Sequence, residues 1–290
     1  MVTRAENTWV FDAIGTRWTI DSDVRVSDSN RAHILALIDD FDLTWSRFRD
    51  DSVVSALSRA AGQLRAGEDV DAMFTAYTAL SAATNGAVNP LVGESIARRG
   101  YDAVLSFVDR GAIPAPHDWG NLLSWCDGVL RATQPVSVDV GALGKGRLVD
   151  LVSAALARHP GAVTVDASGD VRVRGCAERI ALEHPYDAGR AIGVWTVADA
   201  ALCASAVNRR AWGHGLHHVL DARTGEPVDK VAATWAMGRD AMHADGAATA
   251  LFFDGGPALA HEWGISWVRM LTDGRLQWSP GCDAELFIRA

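Results

Sequence analysis

The chain has 290 residues, of which 49% are hydrophobic and 22% charged, and its formal net charge is -9. This excludes a disordered chain, gives ample length for a buried core, and argues against a general nucleic-acid binder, which needs a basic face. Four widely spaced cysteines without a C-x-x-C pair argue against a zinc ribbon or redox motif and predict buried free thiols.

In chain order, residues 9–21 alternate apolar and polar around Gly15-Thr16 and predict a hairpin. Ser27-Asp28-Ser29 offers an N-cap to a helix marked by Ile34, Leu35, Ile38 and Phe41. Residues 45–52 read as a polar loop. Val70, Met73, Phe74, Tyr77 and Leu80 form a second helical stripe, ending at Thr84-Asn85-Gly86. Pro114 and Pro116 keep residues 111–119 irregular. Residues 137–150 read as a short strand, a glycine-rich turn and a helix continued by Leu151, Val152, Ala155 and Leu156. Strands are predicted at 162–166 and 171–174, around Ser168-Gly169, and as a second pair at 192–197 and 201–205. A short helix at 245–253 and strands at 263–271 and 284–288 close the chain. No apolar run opens the sequence, which predicts a cytoplasmic protein without a membrane span. Strands joined by tight turns and interspersed with helices predict one α+β domain, residues 1–290, with largely antiparallel sheets flanked by helices.

Gly141, Gly144 and Gly146 surround Lys145. Glycines let backbone N–H groups approach an anion, the following helix points its positive end at the turn, and Lys145 adds a full charge, a pattern suited to phosphate. It is not a Walker A loop: Asp139 stands at the first glycine position, and Gly146 replaces the magnesium-binding hydroxyl. It is not a Rossmann fingerprint either. A plain glycine-capped connection from strand to helix accounts for it equally well.

Asp245 and Thr249 are four residues apart and share a face of a helix, where a carboxylate and a hydroxyl suit Mg²⁺. The plain alternative makes Asp245 a helix cap and bonds Thr249 to the carbonyl four residues earlier. His214, His217 and His218 invite a zinc site, but no cysteine or carboxylate completes it at ligand spacing. No G-x-S-x-G elbow supports serine hydrolase chemistry. Asp166 and Asp170 read as a carboxylate pair or as a polar turn.

The ordered set of segments resembles the ApbE family, the FAD:protein FMN transferases. The matching pieces are Gly15-Thr16, Ser46-Arg47-Phe48 with Asp51-Ser52, and 86–93 (GAVNPLVG). They continue with 139–146 (DVGALGKG), Ser168-Gly169-Asp170, 217–225 (HHVLDARTG) and 244–250 (ADGAATA). The resemblance implies an ApbE-like fold and Mg²⁺-dependent transfer of FMN from FAD to a Ser or Thr hydroxyl of a target protein, with release of AMP. It implies side-chain metal ligation by Asp245 and Thr249, with the Ala142 carbonyl as third ligand. Lys145 would face the pyrophosphate or adenine-nucleotide portion, and Ile14, Ser46, Arg47 and Phe48 would lie along the flavin dinucleotide. Asn89 stands where the family usually has a nucleotide-contacting aspartate. Asp245, His243 and His218 are candidates for the general base. Hydrolysis of FAD to FMN and AMP, or flavin binding without catalysis, would use the same site.

Overall fold

The computed structural model describes residues 7–213 and 215–287, so His214 and the end of the predicted last strand, Ile288, lie outside the described residues. Ile14 and Gly15 both take positive φ, 47° and 71°, and close a two-residue hairpin between the Trp9–Ala13 and Thr16–Ser22 strands. That hairpin forms one edge of an eight-stranded sheet. It continues through Val163–Asp166, Asp170–Arg174, Ala201–Ala206, Val231–Gly238, Ser266–Leu271 and Leu276–Trp278, and every neighbouring pair is antiparallel.

Alternation along the strands assigns the two faces. Val171, Val173 and Leu202 pack with Trp195 and Val197 of a three-stranded sheet formed by Ala177–His184, Asp187–Ala198 and Glu285–Leu286. Val163, Val165, Ala201 and Cys203 face the other way, into the main core beneath the helices. The predicted pairing of 192–197 with 201–205 does not occur. Asp199, at φ 47°, turns the chain out of the plane, so the two strands enter different sheets and meet face to face through Val197 and Leu202. The Val231–Gly238 strand escaped the reading because it is buried on both faces and has no alternation. The sequence reading also passed over the small sheet of Gly62–Arg65, Leu123–Cys126 and Val129–Ala132.

The predicted helices form with shifted ends. Ser27 Oγ accepts from Asn30 N at 3.2 Å and starts the Asp28–Trp45 helix, which buries Ile34, Ile38, Phe41 and Trp45 but leaves Leu35 exposed. The Asp69–Ala83 helix buries its predicted stripe and ends before Gly86, at φ 83°. The predicted short strand before the glycine turn does not form, since residues 137–140 pair with no strand, and the Gly144–Ala155 helix follows. The Ala241–Ala250 helix starts four residues before Asp245, because Asp240 is the cap: its Oδ1 accepts from His243 N at 2.9 Å. The closing strand starts only at Ser266, since the Gly256–Glu262 helix and Gly264, at φ 66°, precede it. Only Cys203 is buried. Cys126 is exposed, because its short strand lies at the rim, and Cys176 and Cys282 are half-buried. No helix among the described residues is long and apolar enough to cross a membrane.

The Gly144–Ala155 and Ala241–Ala250 helices cross against the sheet. Both Asp150 oxygens accept from the second helix, one from Ala241 N and one from Met242 N, each at 2.9 Å. These are two of the donors that a helix start leaves without partners. Gly146 sits at the crossing, where a Cβ would lie 2.2 Å from the Ala241 carbonyl oxygen and 2.7 Å from Asp245 Cβ. Gly146→Ala must therefore push the helices apart. Its expected cost is about 1–3 kcal/mol of unfolding free energy, the usual range for overpacking, checked by urea titration.

A rim loop after the Gly93–Arg98 helix is ordered by one carboxylate. Asp102 accepts from Ser106 N at 2.9 Å and Ser106 Oγ at 2.6 Å and pairs with Arg110 at 3.2 Å, which together hold its pKa down to about 2. A pKa lowered by folding stabilises the loop above the ordinary aspartate range, and that gain is lost as pH falls from about 4 toward 2. Amide exchange at Ser106 and Phe107 should accelerate across that window; constant protection would contradict this role of Asp102.

Candidate active site

The structure brings Ala142 and Thr249 into contact, and Asp245 lies one turn before Thr249 on the same helix. Thr249 Oγ1 donates to the Ala142 carbonyl at 3.2 Å, across 107 residues of sequence. Neither half of the plain alternative occurs: Asp245 is not the cap, and Thr249 does not bond back within its own helix. Asp245 is 5% exposed, and its Oδ2 accepts from Gly146 N at 2.9 Å. Burial first, and the neighbouring Asp170 charge second, push its carboxyl well above the usual range. The donor set suits a small hard cation. In an octahedron with Mg²⁺–O bonds of about 2.1 Å, neighbouring oxygens are about 3.0 Å apart, close to the spacing of the Thr249 and Ala142 oxygens. Among the described residues no group of three or more His, Cys, Asp or Glu side chains stands ready to hold a metal. The set here is instead carboxylate, hydroxyl and carbonyl.

Lys145 leaves the start of its helix toward the sheet. Its Nζ lies 2.9 Å from Asp170 Oδ2 and donates to the Ala167 carbonyl at 3.2 Å. Burial works against the ammonium, but Asp170 and Asp245 outweigh it and hold its pKa above the ordinary lysine value. An ammonium has three donors, so one is left beyond these two contacts. The glycine turn does not present a bare cradle of N–H groups. Gly141 N donates to Asp139 Oδ1 at 2.7 Å, Gly144 N to the Val140 carbonyl at 2.7 Å, and Gly146 N to Asp245. These glycines serve close packing. A Cβ on Gly144 would lie 2.8 Å from Val140 Cγ2, and one on Gly141 2.8 Å from Asp139 Oδ1.

On one side of this cluster lies the Ile14–Gly15 turn. Ser168 Oγ donates to the Arg17 carbonyl at 2.8 Å, tying the hairpin to the Ser168–Gly169 turn that precedes Asp170. Ile14 is β-branched and still held at φ 47°, a conformation that costs energy and persists only where the surroundings impose it. On the other side, Arg47 Nε pairs with Asp139 Oδ2 at 2.6 Å, nearly out of solvent. The Arg47 guanidinium also covers the Phe48 ring at 4.2 Å, and Phe48 packs edge-on against Tyr101 at 5.4 Å. Ser46 closes the preceding helix, and its carbonyl accepts from Ser52 Oγ at 2.6 Å. Asn89 is buried and braces loops: its Nδ2 donates to the Pro116 carbonyl and its Oδ1 accepts from Leu91 N, both at 2.8 Å. Asp139, Tyr101, Asp150 and Asp170 line or brace this region. The sequence offered Asp170 only as half of a carboxylate pair or a polar turn and gave Tyr101, Asp139 and Asp150 no role, although Asp139, two residues before a glycine, carries the signature of an Asx turn.

The histidines separate. His217 Nε2 donates to the Val228 carbonyl at 3.0 Å and its Nδ1 accepts from Val219 N at 3.3 Å, so both nitrogens are spent on the backbone. Burial, then the Arg210 charge, lowers the His218 pKa to about 3, and its Nδ1 has no partner among the described residues. His243 Nδ1 pairs with Asp240 Oδ1 at 2.8 Å, which raises its pKa, and its ring stands edge-on to Trp263. Two residues from Asp245 on a helix, it lies about half a turn round the axis from the carboxylate. A hollow of about 610 Å³ between Ser81, Asn85, Trp119 and Trp125 contains none of these groups, and the chemistry lies elsewhere.

The comparisons agree on the fold. The chain is similar to the flavin transferase ApbE of Vibrio cholerae, with a TM-score of 0.77, 22% identity, and coverage of 94% of this chain and 96% of that one. It is similar to the apo flavinyl transferase ApbE of Pseudomonas stutzeri, with a TM-score of 0.77, 20% identity, and 96% of each chain covered. It is also similar to the apbe protein of Thermotoga maritima, with a TM-score of 0.78, 22% identity, and coverage of 94% and 96%. No curated protein matches the chain. The ApbE family's own sequence profile matches residues 14–266, from the strained hairpin turn into the strand after the Asp245 helix, and the chain belongs to the ApbE family.

Proposed function

We propose that residues 1–290 act as one Mg²⁺-dependent flavin transferase domain that moves FMN from FAD onto a Ser or Thr hydroxyl of a target protein and releases AMP. The observation that carries this reading is the meeting of the Ala142 carbonyl and the Thr249 hydroxyl at 3.2 Å beside the buried Asp245 carboxylate. The contact spans 107 residues of sequence, and Asp245 shares the helix face of Thr249, which supports the ligand set that the family resemblance implies. Flavin transferases are also what the printed names of the Vibrio cholerae and Pseudomonas stutzeri proteins describe.

In this reading Asp245, Thr249 and the Ala142 carbonyl hold Mg²⁺. The ion, when bound, neutralises pyrophosphate charge and so eases displacement at phosphorus. Lys145 places its remaining donor toward the diphosphate. The hairpin turn at Ile14 and the Ser46-Arg47-Phe48 stretch flank the dinucleotide, with Arg47 fixed by Asp139 and its flat face against Phe48. The acceptor oxygen bonds to the FMN phosphorus, the bond from that phosphorus to the bridging oxygen breaks, and AMP leaves with the bridging oxygen. His218 takes the acceptor's proton. It is uncharged at neutral pH and has an unpartnered Nδ1, whereas His243 is engaged by Asp240.

Incubation with FAD, Mg²⁺ and a candidate flavoprotein subunit tests the proposal by mass spectrometry of the subunit. A gain equal to one FMN is expected. Free FMN and AMP alone would mean that water is the acceptor, and FAD binding without AMP would mean a flavin binder. Asp245→Asn should reduce metal-dependent AMP release by roughly 100-fold or more, since it removes a charged ligand of the proposed set. Undiminished AMP release would remove Asp245 from the metal site. Lys145→Ala should weaken FAD binding by roughly 10- to 100-fold, the usual worth of a hydrogen bond to a charged group. Superimposable FAD titrations of variant and parent would show that Lys145 serves only Asp170.

A further inference from the structure

We propose that Asp170 is a second carboxylate of the cation site, facing the ion across from Asp245. The inference rests on the metal-dependent reading above and extends it to a residue which that reading leaves out. Asp170 opens the Asp170–Arg174 strand directly after the Ser168–Gly169 turn, both of whose residues have positive φ. In the sheet it stands opposite Cys203, so its side chain points to the helix face, beneath Lys145 and Asp245. It is fully buried, at 0% exposure.

The carboxylate is poorly served by the protein. Lys145 Nζ lies 2.9 Å from Oδ2, the Asp245 carboxyl is the one other side-chain partner among the described residues, and Oδ1 takes no N–H donor from any of them. Buried carboxylates are normally paired and hydrogen-bonded, and each exception needs a reason. Anchoring the lysine is an insufficient reason, because the Ala167 carbonyl already takes one of its donors at 3.2 Å. The place of Asp170 gives a better one. A fully buried carboxylate oxygen without a donor, on the sheet face beneath Asp245, is what a cation would satisfy. Mg²⁺ is held by one or two carboxylates together with neutral oxygens and phosphate, which matches Asp245 and Asp170 with Thr249 and the Ala142 carbonyl. Lys145 then serves as the counter-ion that keeps the two carboxylates together before the metal arrives.

The test uses Mn²⁺ as the probe, on the whole chain without FAD, with free and bound metal counted by electron paramagnetic resonance. Asp170→Asn should weaken Mn²⁺ binding at least tenfold, while its thermal unfolding stays a single cooperative transition, which shows that the fold is intact. Equal affinity in variant and parent would overturn the assignment while leaving the metal at Asp245 intact. Absence of Mn²⁺ binding in the parent would instead sink the metal-dependent reading, and this inference with it. Should Asp170→Asn fail to fold, electron–nuclear double resonance on the parent protein, with aspartate carboxyls labelled in ¹³C, counts the carboxylates at Mn²⁺. Two labelled carbons are expected, and one alone would overturn the proposal.

Discussion

Where the Gly144–Ala155 helix meets the Ala241–Ala250 helix there is room for a hydrogen atom and for nothing larger. The missing side chain of Gly146 brings its own N–H within 2.9 Å of Asp245 Oδ2 and sets the Ala241 carbonyl directly over it. One turn further along, Asp150 takes the first two N–H groups of the second helix and fixes its rotation. Shift that contact by the width of a methyl group and Thr249 no longer reaches Ala142. The sheet beneath supplies a rigid floor, and Cys203 Sγ donates to the Ala241 carbonyl from below at 3.4 Å.

Charge accounts for the rest of the local design. The contact lies out of water, so an ionised group there needs either a counter-charge or a shifted proton affinity. Lys145 provides the counter-charge, and Asp245 responds with a carboxyl well above its ordinary range. Farther out, the Arg47–Asp139 pair carries the same logic to the edge of the site. Asp139 accepts from Gly141 N while its own carbonyl accepts from the Tyr77 hydroxyl at 3.1 Å, so the turn before Lys145 is braced from both sides.

Much of the architecture was legible because it rests on local signals. The turn at Gly15, the cap at Ser27, the stripe from Val70 to Leu80 and the stop at Gly86 each depend on neighbours within a few residues. The α+β class followed from them. Pairing was not legible, because which sheet a strand joins depends on burial across layers. Residues 192–197 and 201–205 looked like partners and became opposite layers, while the Val231–Gly238 strand gave no period to read. The same limit governs the site. Asp245 and Thr249 announce themselves by spacing, whereas Asp170 looks like any polar turn residue until its face of the sheet is known. The glycines around Lys145 suggested backbone donors for an anion. Their N–H groups are instead consumed by the chain, and their real service is proximity.

The oxygens of the central cluster come from two segments far apart in sequence, Ala142 on one side and Asp245 with Thr249 on the other. Residues 139–146 and 240–249 contribute nothing to one another until both lie on the sheet, and the sheet needs strands from both ends of the chain. Contacts of such long span form late and slowly. A nascent polypeptide that has not yet emerged past Thr249 therefore holds six of the eight strands of the floor but not the contact between Thr249 and Ala142.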